Sequence, residues 1–156
     1  MNIFFEEHRK LIADMLAENV QFMLVGGYAV NYHGYNRTTG DMDIWIKPDN
    51  DNKIKLIKAL EKNDVDNEDL HLIMDLDFSE TLVFSAWERP YKIDFLTKVS
   101  GVAYEEADKE KIIAEIEGLP MPIINLNHLV LTKFGTGRIQ DKNDIEKLQK
   151  VQRHRK

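Results

Sequence analysis

Two segments decide the fold of this chain: Val25-Gly26-Gly27 and Arg37-Thr38-Thr39-Gly40-Asp41-Met42-Asp43-Ile44-Trp45-Ile46. The first ends an apolar run from Gln21, which predicts a short buried strand over 21–25 that turns sharply at the glycine pair. A helix over 28–35 is expected after the turn, and Met42 to Ile46 predicts a second strand. The centre of the predicted domain is therefore strand, Gly-Gly turn, helix and strand.

The pattern Asp-x-Asp at Asp41 and Asp43 places two carboxylates on one side of the chain, because side chains alternate in an extended segment. At about 5–7 Å and an effective dielectric near 20, they repel each other by about 2–3 kcal/mol. A hard dication between them reverses that repulsion, and magnesium prefers such oxygen ligands. A calcium loop needs further ligands at alternate positions, whereas here the apolar residues 44–46 follow. The pattern predicts a metal-dependent site for a phosphate-bearing ligand.

Asp94 interrupts an apolar run from Tyr91 to Leu96, where an unpartnered buried carboxylate is costly. One interpretation is a structural ion pair with Arg89 or Lys92. The other is that its strand lies beside the strand of the Asp-x-Asp pattern. Three carboxylates could then hold two metal ions for phosphoryl or nucleotidyl transfer.

The Gly26-Gly27 turn has no side chains at the point where a strand meets a helix. Backbone N–H groups and the positive end of the helix dipole can therefore face an anion. A tight turn without a ligand is the simpler interpretation of a glycine pair taken alone. Together with the nearby aspartates, the glycine turn predicts a binding site for a triphosphate.

Apolar periodicity predicts the other elements of the chain. Further helices are expected over 4–19, 50–62, 103–109, 127–134 and 141–152, and further strands over 82–87, 92–96, 112–117 and 121–124. The strands over 82–87 and 92–96 flank a turn-like break and predict a β-hairpin. The segment 64–79 has no clear periodicity and is left largely unassigned.

The composition predicts a single domain over 1–156, because 156 residues with 43% hydrophobic side chains suffice for one core. There is no cysteine, and the five histidines lack metal-ligand spacing, so any metal must be bound by oxygen. No apolar stretch approaches the roughly 18 residues of a membrane span. We therefore expect a cytoplasmic protein with no membrane partner.

The formal net charge of −6 argues against broad, non-specific binding to nucleic acids. The basic residues are nevertheless concentrated between Arg138 and Lys156. A solvated C-terminal helix whose cations suit the negative end of its dipole is the favoured interpretation. A tail that contacts RNA is the alternative.

These motifs together resemble the nucleotidyltransferases of the DNA polymerase beta superfamily, in the minimal branch that includes AbiEii-type toxins and lincosamide and aminoglycoside nucleotidyltransferases. The resemblance covers about residues 21–149 and implies an α+β nucleotidyltransferase fold, a small mixed β-sheet flanked by helices. The matching residues are Gly26, Gly27, Arg37, Thr38, Asp41, Asp43, Asp94 and, within the late segment 129–148, Lys133, Arg138, Asp141 and Asp144.

The resemblance also implies roles for these residues. Asp41 and Asp43 would bind two magnesium ions, and Asp94 would complete the metal site and accept a proton from the acceptor hydroxyl. The nucleotide would be bound by the following set: Gly26, Gly27, Arg37, Thr38 and Lys133. Family members often carry a serine after the first glycine, where this chain has Gly27, so backbone donors would have to suffice.

Three of these residues have structural alternatives. Lys133 could be a merely solvated helical lysine, and Arg37 could pair with Asp41 or Asp43 in the metal-free protein. Arg138 is expected to form an ion pair with Asp141 or Asp144 that fixes the last two helices.

Two hypotheses of function follow. The first is a magnesium-dependent enzyme that moves a nucleoside monophosphate from an NTP such as ATP to a hydroxyl of tRNA, a protein or a small molecule. It would release pyrophosphate, and as a toxin it would have an antitoxin partner. The second is a non-catalytic module of the same fold that binds a nucleotide or another protein.

Overall fold

A six-stranded mixed sheet lies at the centre of the structure, a computed structural model that describes residues 4–155. Residues 1–3 of the predicted domain and Lys156 of the basic segment lie outside the described residues. The strands are β1 (Phe22–Val25), β2 (Met42–Ile46), β3 (Val83–Ala86), β4 (Ile93–Leu96), β5 (Ile112–Ile116) and β6 (Leu119–Ile123). The helices are α1 (Glu6–Ala17), α2 (Gly26–Tyr32), α3 (Asn50–Glu61), α4 (Asn67–Met74), α5 (Tyr104–Lys109), α6 (Leu126–Lys133) and α7 (Ile139–His154).

The strands lie in the order β3-β4-β2-β1-β6-β5. β2 runs antiparallel to β1 and parallel to β4, and β6 runs parallel to β1. The antiparallel hairpins β3/β4 and β5/β6 occupy the two sides of the sheet. These directions bring Val25, Met42, Ile93, Ile112 and Ile123 to one end of the sheet, which we call the upper edge.

Both faces of β2 are covered. Met42, Ile44 and Trp45 are each no more than 1% exposed, although their side chains alternate between the faces. Trp45 packs edge-on against Tyr104, and its Nε1 donates a hydrogen bond to the Thr97 carbonyl at 3.2 Å. β2 is therefore a central, rigid strand, and it begins directly after Asp41.

The expected α+β class and mixed sheet are confirmed, as are the β3/β4 hairpin and the helices and strands on either side of the glycine pair. Helix α2 begins at Gly26 itself and not at Tyr28. Helix α4 lies in the unassigned segment, where Leu70 and Ile73 are its buried residues. Its apolar residues Leu72 and Met74 are exposed, and they obscure the buried face in the sequence pattern. None of the helices in residues 4–155 is long and apolar enough to cross a membrane.

Candidate active site

The three aspartates predicted from the sequence lie on adjacent strands at the upper edge. Asp43 in β2 is directly opposite Asp94 in β4 in the register of this parallel pair. Asp41 comes immediately before β2, and its side chain is 14% exposed. The strand pairing therefore places two of the carboxylates side by side, with the third two residues away.

Asp43 is the most strongly perturbed of these carboxylates. Burial and the charges of Asp94 and Asp41, acting against the charges of Lys133 and Arg138, together raise its pKa from an ordinary value of 3.8 to about 6. Desolvation and like charge both penalise the ionised form, and a cation at this position would relieve both effects. The carboxylates thus form an electrostatically strained acidic site.

Two cations contact the outer aspartates. Lys92 Nζ lies 3.4 Å from Asp41 Oδ2 and 3.5 Å from Asp94 Oδ1, and Arg89 Nε lies 3.2 Å from Asp41 Oδ1. Ser85 Oγ donates a hydrogen bond to Asp94 at 2.5 Å. The expectation that Asp94 could pair with Lys92 is confirmed, and the ammonium of Lys92 lies between two predicted metal ligands.

Within residues 4–155, no group of three or more His, Cys, Asp or Glu side chains is assembled to hold a metal ion. The ammonium of Lys92 contacts both Asp41 and Asp94, at the place where a shared cation would be bound. The donor chemistry still suits magnesium: the side chains are carboxylates, and the raised pKa of Asp43 marks a place where positive charge is favoured. These residues fit a divalent cation once the lysine moves.

The glycine turn lies directly against Asp43. Gly26 has a φ of +65°, and a Cβ added to it would lie 2.1 Å from Asp43 Oδ2. A Cβ added to Gly27 would lie 2.1 Å from Thr39 Oγ1. These close contacts require glycine at both positions, and the turn packs directly against the segment that carries the aspartates.

Thr39 was not singled out by the sequence. Its hydroxyl fills the space beside Gly27 that a side chain at residue 27 would occupy. A serine is common at that position in the family that the sequence resembles. The only sequence signal for Thr39 is its place just before the Asp-x-Asp pattern.

Lys133 belongs to a buried polar cluster between α6 and α7. Its Nζ lies 3.2 Å from Asp141 Oδ1 and 3.2 Å from Asp144 Oδ2, and all three side chains are at most 8% exposed. The alternative of a merely solvated Lys133 is therefore wrong. The side chain is held in one place by two carboxylates from the following helix.

Arg37 is paired with Asp144, and the predicted alternative of a pair with Asp41 or Asp43 is wrong. Its Nε and Nη2 donate to the two Asp144 oxygens at 2.9 and 3.0 Å. Its Nη1 donates to the Thr38 carbonyl at 3.1 Å and would lie 3.5 Å from a Cβ at Gly27. Arg37 thus links the glycine turn to α7.

The expected ion pair of Arg138 is confirmed, because its Nε donates to Asp141 Oδ2 at 2.7 Å. Although burial raises the pKa of Asp141, hydrogen bonds from Arg138 and Thr136 and the charge of Lys133 hold it below its ordinary value. We call Arg37, Lys133, Arg138, Asp141 and Asp144 the Lys133 cluster. Its three cations outnumber its two carboxylates, so it presents net positive charge close to Asp43.

This order of strands and helices is that of a nucleotidyltransferase fold, and comparison with solved structures agrees. TM1012 of Thermotoga maritima, described as a candidate nucleotidyltransferase, superimposes with a TM-score of 0.60 at 13% identity, covering 96% of each chain. The lincomycin-bound lincosamide antibiotic adenylyltransferase LnuA superimposes with a TM-score of 0.54 at 16% identity, covering 97% of this chain and 99% of LnuA.

The sequence matches no protein-family model and no curated protein. At 13% and 16% identity, the structural likeness establishes the fold and nothing finer. The nucleotidyltransferase fold expected from the sequence is thus confirmed, whereas its AbiEii-like branch stays a prediction.

Proposed function

We propose that this protein is a nucleotidyltransferase that transfers a nucleoside monophosphate from an NTP to a hydroxyl group of an acceptor. The observation that carries the proposal is the register pairing of Asp43 with Asp94 beside the Gly26-Gly27 turn. It places paired carboxylates next to a backbone turn in a fold shared with nucleotidyltransferases. Burial and the neighbouring carboxylates raise the pKa of Asp43, and such perturbed carboxylates are concentrated at functional sites.

In the proposed reaction the acceptor oxygen attacks the α-phosphorus of the NTP. The bond from that phosphorus to the bridging oxygen breaks, and pyrophosphate leaves. The proton of the acceptor hydroxyl goes to the carboxylate of Asp94, which is 21% exposed and therefore reachable. Ser85, which donates a hydrogen bond to Asp94, fixes the orientation of that carboxylate.

Two magnesium ions held by Asp41, Asp43 and Asp94 would stabilise charge on the α-phosphate and on the leaving group. The chain contributes further positive charge through the Lys133 cluster, which lowers the pKa of Asp43 and so acts across the site. Lys133 and Arg37 are held by Asp144 and need little reorganisation to meet a phosphate. The amides of Gly26 and Gly27, with Thr38, complete the proposed nucleotide site.

The test is transfer of labelled α-phosphate from each NTP, with magnesium, to total cell RNA and total cell protein. We expect labelled product with the wild-type protein and none with Asp43→Asn. Asp69→Asn is the matched control, because Asp69 is an exposed aspartate on α4. Absence of transfer to every acceptor would leave the non-catalytic alternative as the better description. Equal transfer by the Asp43→Asn protein would show that the label is not transferred by this site.

The AbiEii-like resemblance adds a narrower proposal: the enzyme is a toxin neutralised by a separate antitoxin. Its expression without a partner should then arrest growth, and Asp43→Asn should abolish the arrest at equal protein level. Normal growth with the active wild-type protein would remove the toxin role and leave the enzymatic proposal intact.

A further inference from the structure

Ser85 is an exposed serine on the outermost strand β3, and its hydroxyl contacts the proposed proton acceptor. Its Oγ donates a hydrogen bond to Asp94 Oδ1 at 2.5 Å. Within residues 4–155, no other hydroxyl donates a hydrogen bond to Asp41, Asp43 or Asp94. The acceptor hydroxyl of the proposed reaction must make the same contact, because it gives its proton to Asp94.

The strand register places Ser85 in one row with the other groups of the site. Ser85 pairs with Asp94 in β4, and Asp94 pairs with Asp43 in β2. Asp43 in turn pairs with Val25, the last residue of β1 before the glycine turn. Directly paired residues project from the same face of a sheet, so Ser85, Asp94 and Asp43 lie side by side on one face. The row therefore runs from a hydroxyl, through two carboxylates, to the turn proposed for the phosphates.

This order suits an in-line displacement at phosphorus. The entering oxygen and the leaving pyrophosphate must lie on opposite sides of the α-phosphorus. Ser85 and the glycine turn stand at opposite ends of the row, separated by three strand spacings or about 14 Å. A nucleotide with its α-phosphate above Asp43 and Asp94 would therefore face Ser85 on one side and the turn on the other.

A serine that only orients Asp94 is the simpler interpretation of the hydrogen bond. Such a serine needs no access to substrate, whereas this face of β3 is open. Ser85 is exposed, and Val83 on the same face is 65% exposed. The side chain of Asp94 is itself 21% exposed. A nucleotide bound at the aspartates can therefore reach the Ser85 hydroxyl.

We propose that Ser85 is itself an acceptor, so that the protein transfers a nucleoside monophosphate to its own chain. The inference rests on the proposed function and names an acceptor of that same site. A bond forms between Ser85 Oγ and the α-phosphorus, the bond from that phosphorus to the bridging oxygen breaks, and pyrophosphate leaves with the electron pair. The proton moves from Ser85 Oγ to the carboxylate of Asp94. The product is a phosphodiester that joins Ser85 to the nucleoside.

The transfer takes place within one chain, because the hydroxyl and its proton acceptor lie on the two strands of one hairpin. A hydroxyl held in this way reacts at a high effective concentration. The rate constant of labelling should therefore not depend on the protein concentration, and no chain should carry more than a single label.

The experiment incubates the purified protein with each NTP and magnesium, without any other acceptor, and follows intact mass and peptide fragments by mass spectrometry. The wild-type protein should gain the mass of a nucleoside monophosphate less water, located at Ser85. Ser85→Ala should lose this label, and Ser85→Thr, which keeps a hydroxyl, should retain it at residue 85. The matched control is Ser79→Ala, because Ser79 is also exposed and its Oγ donates to a carboxylate, that of Asp77, at 2.7 Å. The control should be labelled as fully as the wild type.

A mixture of two variants tests whether the transfer stays within one chain. The Asp43→Asn protein keeps Ser85, and the Ser85→Ala protein keeps all three aspartates. We expect no label on either protein in the mixture. A label on the Asp43→Asn protein would show transfer between chains and overturn the proposal.

The self-labelling proposal and the proposed function fail in different ways. Transfer to cell RNA or cell protein by the wild-type protein, with no label at Ser85, would refute Ser85 as an acceptor and leave the proposed function intact. A label on another residue of the chain would have the same meaning. Absence of transfer to Ser85 and to every other acceptor would refute both proposals.

Discussion

Replacement of Asp43 by asparagine should stabilise the metal-free protein at neutral pH. The pKa of Asp43 is raised from 3.8 to about 6 by burial and by the charges of Asp94 and Asp41. The folded state therefore binds this proton more tightly than the unfolded state. As the pH rises from about 4 to 6 the unfolded chain loses the proton first, the free energy of unfolding falls, and above 6 the full penalty is present.

The difference between the two pKa values corresponds to at most about 3 kcal/mol at pH 7.5, and to about 1 kcal/mol at pH 4.5. Since local relaxation relieves part of the strain, we expect a gain of about 2 kcal/mol at pH 7.5. For a domain of this size that is about 4–8 °C in melting temperature. Asparagine has nearly the shape of aspartate, so the close contact with Gly26 is retained.

The assay is thermal unfolding in EDTA at both pH values, with Asp69→Asn as the control for loss of an exposed carboxylate. The Asp43→Asn gain should shrink at least twofold at the lower pH, and the control should stay within about 1 °C at both. Magnesium should raise the melting temperature of the wild-type protein at pH 7.5 and not that of the variant. A variant less stable than wild type at pH 7.5, or a gain equal at both pH values, would refute the electrostatic reasoning.

Lys92→Met should tighten binding of Mn²⁺ by about 5–30-fold, measured by calorimetry with no NTP present, because the lysine forms two partly exposed ion pairs worth about 0.5–1 kcal/mol each. Unchanged affinity would show that the lysine does not compete with the metal ion. Gly26→Ala should cost at least 3 kcal/mol by denaturant unfolding, because its Cβ would lie 2.1 Å from a carboxylate oxygen. Gly135 also has a positive φ, but a Cβ added to it would have no atom within 4 Å, so Gly135→Ala should lower the free energy of unfolding by only about 1–2 kcal/mol. Equal losses in the two variants would show that the contact of Gly26 with Asp43 does not matter for stability. Asp144→Asn should lower the free energy of unfolding by about 3–5 kcal/mol, because it leaves Arg37 and Lys133 without their shared carboxylate. The control Glu146→Gln, at an exposed position, should change the free energy of unfolding by no more than about 0.5 kcal/mol. An Asp144→Asn protein as stable as wild type would contradict the role of the cluster.

The acidic site could be predicted because its elements are local in sequence. Asp41 and Asp43 share one face through strand alternation alone, and Asp94 is conspicuous as a charge within an apolar run. What the sequence does not contain is the strand order that makes β4 the neighbour of β2. That order results from packing across the whole chain, so the meeting of the three side chains could only be proposed.

Within the Lys133 cluster, the Arg138 ion pair could be predicted, whereas the burial of Lys133 and the partner of Arg37 could not. A lysine near the end of a helix is usually solvated, and its burial here depends on two carboxylates from a separate helix. The partner of Arg37 is 107 residues away, whereas the nearer aspartates were the obvious candidates. Ion pairs between distant segments are set by tertiary structure, which local patterns do not encode.

The bond between Arg37 and Asp144 sets a condition on the order in which the protein is made. At about 5–20 residues per second, the ribosome needs about 5–20 s to add the 107 residues that follow Arg37 up to and including Asp144. Once Asp94 has been added, the glycine turn and all three aspartates exist, but the carboxylate that holds Arg37 and Lys133 does not. A nascent chain halted before α7 should therefore fail to retain NTP, so nucleotide binding is delayed until the last helix has emerged.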